Sequence, residues 1–315
     1  MSGSKAEFRS GFVAIVGPAN AGKSTLLNAL LGRKVSIVSP KAHTTRDRIL
    51  GIHTTADAQL IYVDTPGFVR RLRRNELSRA MHSVTVDGAS EADVVLLVLD
   101  AARLVRAQDS IQSVIVELRE RGIRSPDILA LNKVDLVAKE ALLPLIAACS
   151  EELKQYGGNI PDIVPISARV NDGLKEFEAV VAAKLPIGPM LFPEEVGTDK
   201  PEHFIAAEIV REKLFYLLRD ELPYSVATVV ESWEENETIA RIHVTILVER
   251  TSQRAIVLGS GGEMLKRIGT SARQELERIF GIRIFLGLFV RVEPDWTRTH
   301  GGLNRAGYAI DALSK

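Results

Sequence analysis

In the first half of the chain, apolar residues come in short unbroken runs: residues 12–17 (FVAIVG), 59–63 (QLIYV), 93–100 (DVVLLVLD), 127–132 (DILALN) and 162–166 (DIVPI). A run of this kind predicts a strand covered on both faces, because successive side chains point to opposite sides. Helical spacing fills the gaps: Leu26, Leu27, Leu30 and Leu31 after the first run, then residues 107–121, 139–156 and 172–184. Strands alternating with helices predict an α/β domain over residues 1–185, with a doubly wound, mostly parallel sheet. Residues 186–201 (PIGPMLFPEEVGTDKP) break the rhythm with prolines and glycines and read as a linker. From 202 to 297 the order changes to an α+β pattern. A helix is expected over 203–219, strands over 225–232, 238–250 and 253–258, a helix over 263–280 and a last strand over 282–292. The polar tail, 298–315, is expected to be partly disordered.

The 315 residues carry 40 basic and 40 acidic side chains. That length suits two domains, and zero net charge argues against a strongly basic nucleic-acid binder. The balance conceals a local asymmetry. Residues 201–249 hold 4 basic and 10 acidic side chains, whereas residues 250–300 hold 9 basic and 5 acidic. A basic tract beside an acidic one fits either a local nucleic-acid footprint or an ordinary charged surface. The single cysteine, Cys149, sits in an apolar stretch and reads as a buried small hydrophobe, in keeping with a reducing compartment. The polar start, MSGSKAEFRSG, does not read as a signal peptide. The longest apolar runs, such as Val94–Leu99 and Ile284–Val290, are far too short to span a membrane.

Candidate chemistry begins at the end of the first strand. Gly17-Pro18-Ala19-Asn20-Ala21-Gly22-Lys23-Ser24, followed by Thr25, matches the phosphate-loop pattern between a strand and a helix. In such a loop, backbone N–H groups cradle phosphates at a helix N-terminus. Lys23 is expected on the β and γ phosphates, and Ser24 on Mg2+. Asp64-Thr65-Pro66-Gly67 ends the second strand. Alone, it is no more than an aspartate-led turn. Downstream of a phosphate loop, Asp64 is placed to hold Mg2+ through water, and the Gly67 amide to meet a γ-phosphate. Between them, in Lys41-Ala42-His43-Thr44-Thr45-Arg46-Asp47, Thr45 is the expected switch threonine that joins Mg2+, with Thr44 as second choice.

Asn132-Lys133-Val134-Asp135 ends a later strand and points to the base. Asp135 can accept two hydrogen bonds from the N1–H and amine of guanine. Adenine lacks that donor pair, so ATP would leave a carboxylate unpaired. Ser167-Ala168, after the next strand, can offer a backbone N–H to the guanine oxygen. The set predicts binding of GTP and GDP and hydrolysis of GTP, with Lys23, Thr45, Gly67 and Asn20 in the catalytic roles. A nucleotide kinase is disfavoured by the Asn132–Asp135 motif.

In this order the motifs resemble the translation-factor-like branch of P-loop GTPases. The second half narrows the match: Arg254-Ala255-Ile256-Val257-Leu258-Gly259-Ser260-Gly261-Gly262, then Leu265-Lys266-Arg267-Ile268-Gly269, Ala272-Arg273, and Val292-Glu293-Pro294-Asp295-Trp296. Over about residues 10–297 the chain resembles the Era family of bacterial ribosome-assembly GTPases. The resemblance implies a P-loop GTPase domain followed by a type II-like KH RNA-binding domain. It implies a GTP-controlled factor that binds the 3′ end of small-subunit ribosomal RNA and assists maturation of the small ribosomal subunit. It further implies a cytoplasmic monomer with loose peripheral contact to the inner membrane. A KH fold clamps about four nucleotides with a G-x-x-G loop between two helices, here Gly259-Ser260-Gly261-Gly262. Ser260 stands where the family usually has lysine. One phosphate contact is therefore missing, and either RNA binding weakens or the contact passes to Lys266, Arg267 or Arg273.

Small signalling GTPases orient the attacking water with a glutamine just after D-x-x-G. Here that position is Phe68, so slow intrinsic hydrolysis is expected. Asn20, at its place in the phosphate loop, implies by likeness to related GTPases a K+ ion held against the phosphates to offset developing charge. Arg70, Arg71, Arg73 and Arg74 fit either a ribosomal RNA contact or a solvated loop, and His43 has no metal-ligand spacing around it. Trp233 and Trp296 read as packing residues. Two rival readings stand beside the assembly factor: a GTPase of tRNA modification or cell-cycle control, and an RNA-binding scaffold that holds GTP without turning it over.

Overall fold

The computed structural model describes residues 7–41, 44–68, 75–155 and 161–308. Among them, in chain order, are β1 (Arg9–Val16), α1 (Lys23–Leu31), β2 (Ile49–Thr54), β3 (Ala58–Asp64), α2 (Glu76–Ser90), β4 (Val94–Asp100), α3 (Ala101–Val105), α4 (Ile111–Glu120), β5 (Ile128–Asn132), α5 (Lys139–Gln155), β6 (Asp162–Pro165) and α6 (Leu174–Lys184). They are followed by α7 (Glu202–Leu217), β7 (Val226–Glu235), β8 (Ile239–Val248), α8 (Thr251–Leu258), α9 (Glu263–Phe280), β9 (Arg283–Val292) and α10 (His300–Arg305).

The chain divides into two compact units. The first is built on a six-stranded sheet of order β2-β3-β1-β4-β5-β6, parallel throughout except for β2, which runs antiparallel to β3. Every residue of β4 is buried, as its unbroken apolar run requires. The cluster under β4 and β5 includes Phe68, Leu97, Leu129 and Cys149. Burial pushes the Cys149 thiol up to about 11 and leaves it an inert packing group. The helix expected over 107–121 is shorter, running only as α4 from Ile111 to Glu120, and a separate short helix, α3, precedes it. Ala107 takes a left-handed turn (φ 51°), and Ser110 restarts the spiral by capping Ser113. Strand β2 and helix α2 carry no clear periodicity in the sequence and were not expected.

Residues 186–199, expected as a linker, lie on the first unit. Ser10 N–H donates to Pro186 O (3.1 Å), Gly188 N–H to Phe8 O (3.0 Å) and Ile52 N–H to Gly197 O (3.0 Å). The buried Gln59 amide donates to Phe192 O (2.8 Å) and accepts from Leu191 and Phe192 N–H (2.8 and 2.9 Å). Asp199 accepts from Leu50 N–H (2.8 Å). The segment is an ordered strap, and the first unit runs to Asp199.

The second unit begins at Lys200 and takes in segments 37–41 and 75–81 as well. Its order α7-β7-β8-α8-α9-β9 is the type II-like KH arrangement, on a sheet in which β7 is antiparallel and β9 parallel to the central β8. Ile242, Val244 and Ile246 of β8 meet Ile209, Leu214, Ile268, Ala272 and Leu276 of α7 and α9 in its core. One element is a correction. Residues 253–258, expected as a strand, lie in helix α8. A short apolar run does not separate strand from helix. Here Gln253 decides, because its side chain accepts the N–H groups of Glu249 and Arg250 (2.8 and 3.0 Å) and caps the helix. Only Val257 of the run is fully buried.

The tail is a second correction. Through Tyr308 it is folded: Trp296, Leu303, Ala306 and Tyr308 pack with Leu77, Met81, Ala227 and Leu247. The Trp296 indole N–H donates to Ser225 O (3.1 Å), and its ring stacks on Tyr308 at 5.9 Å. Trp296→Ala is expected to cost about 3–5 kcal/mol, as for a fully buried aromatic. Urea unfolding followed by far-ultraviolet circular dichroism measures it, and a loss below about 1 kcal/mol would show that the cluster is not core.

Candidate functional site

The phosphate loop is held by its neighbours. Phe68 N–H donates to Gly17 O (3.3 Å) and Ala19 N–H to Phe68 O (3.1 Å), so the end of Asp64-Thr65-Pro66-Gly67-Phe68 pairs with the loop. Thr65 Oγ1 donates to Ile15 O (2.9 Å) and Thr85 Oγ1 to Pro66 O (3.1 Å), which fixes that turn from both sides. Gly22 has φ 99°, and a Cβ there would stand 2.3 Å from Asn132 Nδ2, so only glycine fits. Helix α1 starts at the next residue with no side-chain cap. The Lys23 ammonium is buried and donates to Gly17 O (3.0 Å) and Pro18 O (3.1 Å). Burial lowers it to about 8, against the pull of Asp64. A cation in that state gains from an arriving phosphate.

Ser24, Thr45 and Asp64 are brought together. Ser24 Oγ donates to Asp64 Oδ2 (2.7 Å) and lies 2.9 Å from Thr45 Oγ1. Ser36, missed in the sequence, also donates to Asp64 Oδ2 (2.9 Å). The second carboxylate oxygen, Asp64 Oδ1, is buried and has no partner among the described residues. Desolvation raises the Asp64 pKa, while Ser24, Lys23, Ser36 and Thr45 oppose the shift. An orphaned buried carboxylate oxygen beside two hydroxyls is a donor set that suits a hard divalent cation such as Mg2+. Thr44 points elsewhere, with its hydroxyl donating to Lys41 O (2.8 Å).

The base-reading turn is braced through Asn132. Its Nδ2 donates to Ala21 O (2.9 Å), and its Oδ1 accepts Lys133 N–H (2.8 Å) and Ala168 N–H (3.0 Å). Lys133, in a left-handed turn (φ 65°), reaches Asn20 O and Asp100 Oδ2, both at 2.7 Å. Asp100 is the other residue missed, although it ends β4 in register with Asn132 of β5. Ser167 Oγ donates to Asp135 Oδ1 (2.6 Å), which aims an otherwise exposed carboxylate. Phe68 is a core residue, 4% exposed, with the Arg121 guanidinium 5.4 Å from its ring centroid. It takes no part in positioning water. His43, Arg70, Arg71, Arg73 and Arg74 lie outside the described residues.

In the second unit, Gly259-Ser260-Gly261-Gly262 joins α8 to α9. All three glycines have positive φ (73°, 58° and 81°), and a Cβ on Gly259 would strike Met264 at 2.7 Å. Around Gly261 and Gly262 lies open space, and α9 begins after Gly262 without a side-chain cap. Lys266 and Arg267 are exposed in the first two turns of α9. Arg273 is not at the loop. It stands two turns further along the helix, roughly 10 Å beyond Lys266, and its Nη1 donates to both carboxylate oxygens of Glu277 (2.8 and 2.9 Å).

Comparison with known proteins agrees with this geometry. Residues 12–133 match the family described as 50S ribosome-binding GTPase, and residues 221–297 the KH domain family. The chain is 45% identical over 305 residues to the GTPase Era of Geotalea uraniireducens, covering 96% of this chain and 98% of that one. Among solved structures, a variant of Aquifex aeolicus Era bound to GDP·AlF4− is 39% identical with a TM-score of 0.85, covering 96% of this chain and 100% of that one. Era in complex with MgGDPNP and nucleotides 1506–1542 of 16S ribosomal RNA is 38% identical with a TM-score of 0.87, covering 96% and 99%.

Asp135→Ala is expected to weaken GDP binding roughly a hundredfold or more while leaving ADP binding as poor as before, because only the guanine donor pair is lost. Calorimetric titration with the two nucleotides checks it. A parallel fall for both would place Asp135 in folding instead of base reading.

Proposed function

Because the chain belongs to the Era family of GTPases, we propose that it is a GTP-controlled RNA-binding factor that engages the 3′ end of small-subunit ribosomal RNA during assembly of that subunit. The observation that carries this reading is a pairing within one chain. A complete guanine-nucleotide site occupies the first unit, and the second unit presents a glycine loop open to solvent at a helix N-terminus. The solved relative bound to nucleotides 1506–1542 of 16S ribosomal RNA gives the class of RNA.

The reaction is transfer of the γ-phosphoryl group of GTP to water. The amides of the Gly17–Ser24 loop and the Lys23 ammonium receive the phosphates. Gly67 stands so close to Lys23 that a Cβ there would lie 2.7 Å from Nζ, and its amide is expected to meet a γ-phosphate there. Ser24, Thr45 and Asp64 would hold Mg2+, which when bound offsets charge on the phosphate oxygens. With Phe68 in the core, no side chain at that position orders the attacking water, so a slow intrinsic rate is expected. Asn20, left-handed at φ 64° and tied through its carbonyl to Lys133, is the residue we assign to K+. Coupling between the sites obeys linkage: if GTP tightens RNA binding, RNA tightens GTP binding by the same factor. A cytoplasmic setting with loose contact at the inner membrane face belongs to the same reading.

Two measurements test it. A labelled RNA copying the 3′ end of the small-subunit ribosomal RNA should bind more tightly than a scrambled RNA, and differently with a non-hydrolysable GTP analogue than with GDP. Weak, unselective binding in both states would overturn the assembly reading and leave a GTPase of another pathway. GTP hydrolysis should run several-fold faster in K+ than in Na+ at matched ionic strength, and equal rates would remove the role given to Asn20.

A further inference from the structure

The second unit carries a row of rings that its own packing does not use. On β8 and β9, Arg241 stands beside Phe285, His243 beside Gly287 and Thr245 beside Phe289. The alternate residues of both strands, Ile242, Val244, Leu286 and Leu288, face the core. The opposite face is open there: Phe285 is 47% and Phe289 58% exposed. The His243 ring lies between them, with centroids 5.8 Å from Phe285 and 5.9 Å from Phe289. Gly287 makes the row possible, since a Cβ at that position would stand 2.4 Å from His243 Nδ1. That nitrogen is buried with no hydrogen-bond partner among the described residues.

Two large exposed apolar rings with an imidazole between them call for an occupant, and the surrounding charge selects one. The Arg241 guanidinium lies 5.9 Å from the Phe285 centroid. Arg283 and Arg291 are exposed at either end of the same face of β9, Arg291 within 3.3 Å of Glu231. With Glu234 opposite Arg241, three arginines stand against two glutamates. Rings for base faces interleaved with guanidiniums for phosphates is the combination that holds unpaired RNA on a sheet. Gly269 of α9 lies against Leu288 of β9, and β9 is the sheet edge. An RNA strand leaving the glycine loop therefore has one edge strand to pass before it meets this face.

We infer that the outer face of β8 and β9, at Phe285, His243 and Phe289, is a second RNA contact, a stacking platform for unpaired bases beyond the few nucleotides clamped by the glycine loop. The inference rests on the RNA-binding reading above. The test compares anisotropy titrations of the full chain with a twelve-nucleotide and a four-nucleotide RNA from the ribosomal 3′ end. Phe285→Ala/Phe289→Ala should weaken the longer RNA by about tenfold for each ring removed and leave the shorter one unchanged, with the circular dichroism spectrum intact. Phe285→Tyr/Phe289→Tyr should restore the affinity. In the unaltered chain, 4-thiouridine in the longer RNA should crosslink within residues 283–291. If the alanine pair binds the longer RNA normally while Lys266→Glu/Arg267→Glu loses it, the platform is wrong and the RNA reading stands. If the unaltered chain binds neither RNA, both fall. If the alanine pair instead alters the sedimentation coefficient and not RNA affinity, the face belongs to a second copy of the chain, and the inference is overturned.

Discussion

One amide group organises the nucleotide site. Asn132 is 2% exposed and spends its side chain on three loops at once: the phosphate loop through Ala21, its own turn through Lys133, and the Ser167-Ala168 turn. The side chain is almost wholly withdrawn from solvent, so its bonds form where water competes little and an unmade bond would be costly. Distances between phosphate-binding and base-binding elements are thereby set by a rigid planar group. Lys133, placed by the same turn, adds a second tie from Asn20 to Asp100. The loops that do chemistry are long-range neighbours in sequence, and this hub makes them neighbours in space.

Both units solve the problem of holding phosphate in the same way, by backbone and not by side chain. Helix α1 follows Gly22 at φ 99° and α9 follows Gly262 at φ 81°, and neither helix start has a side-chain cap. The first N–H groups of each helix are left for an anion. The contrast lies in depth. Lys23 beside the first loop is buried, whereas Lys266 and Arg267 beside the second are exposed. The first site suits a compact polyphosphate whose charge repays the desolvation of the lysine. The second suits an extended polyanion that slides across a surface.

What was legible in the sequence followed from strong local rules. The buried strands β1, β3, β4 and β5 announce themselves as apolar runs, and the motifs at their ends carry the nucleotide chemistry. What was hidden depended on long-range partners. Strand β2 pairs in register from Ile49 to Thr54 with β3, but its mixed sequence gains meaning only from that pairing. Helix α8 reads as a strand until the Gln253 cap is seen. Ser36 and Asp100 belong to the site through contacts with Asp64 and Lys133 that no spacing encodes. The tail looked expendable because its buried residues, Leu303, Ala306 and Tyr308, are scattered among glycines and polar groups. Phe285 and Phe289 showed only as part of an apolar strand, since alternation gives the faces of a strand but not which face stays uncovered.

The strap of residues 186–199 has a temporal side. Its bonds to Leu50 and Ile52 fall on β2, an edge strand of the six-stranded sheet. An uncovered edge is a template for pairing with another chain. On a ribosome, β2 is made nearly 150 residues before Gly197 and Asp199. At about 5–20 residues per second, that leaves roughly 7–30 s during which the edge has no cover of its own. The nascent chain therefore passes through an interval in which it is more prone to faulty pairing than the finished protein. That interval ends when the strap closes over β2.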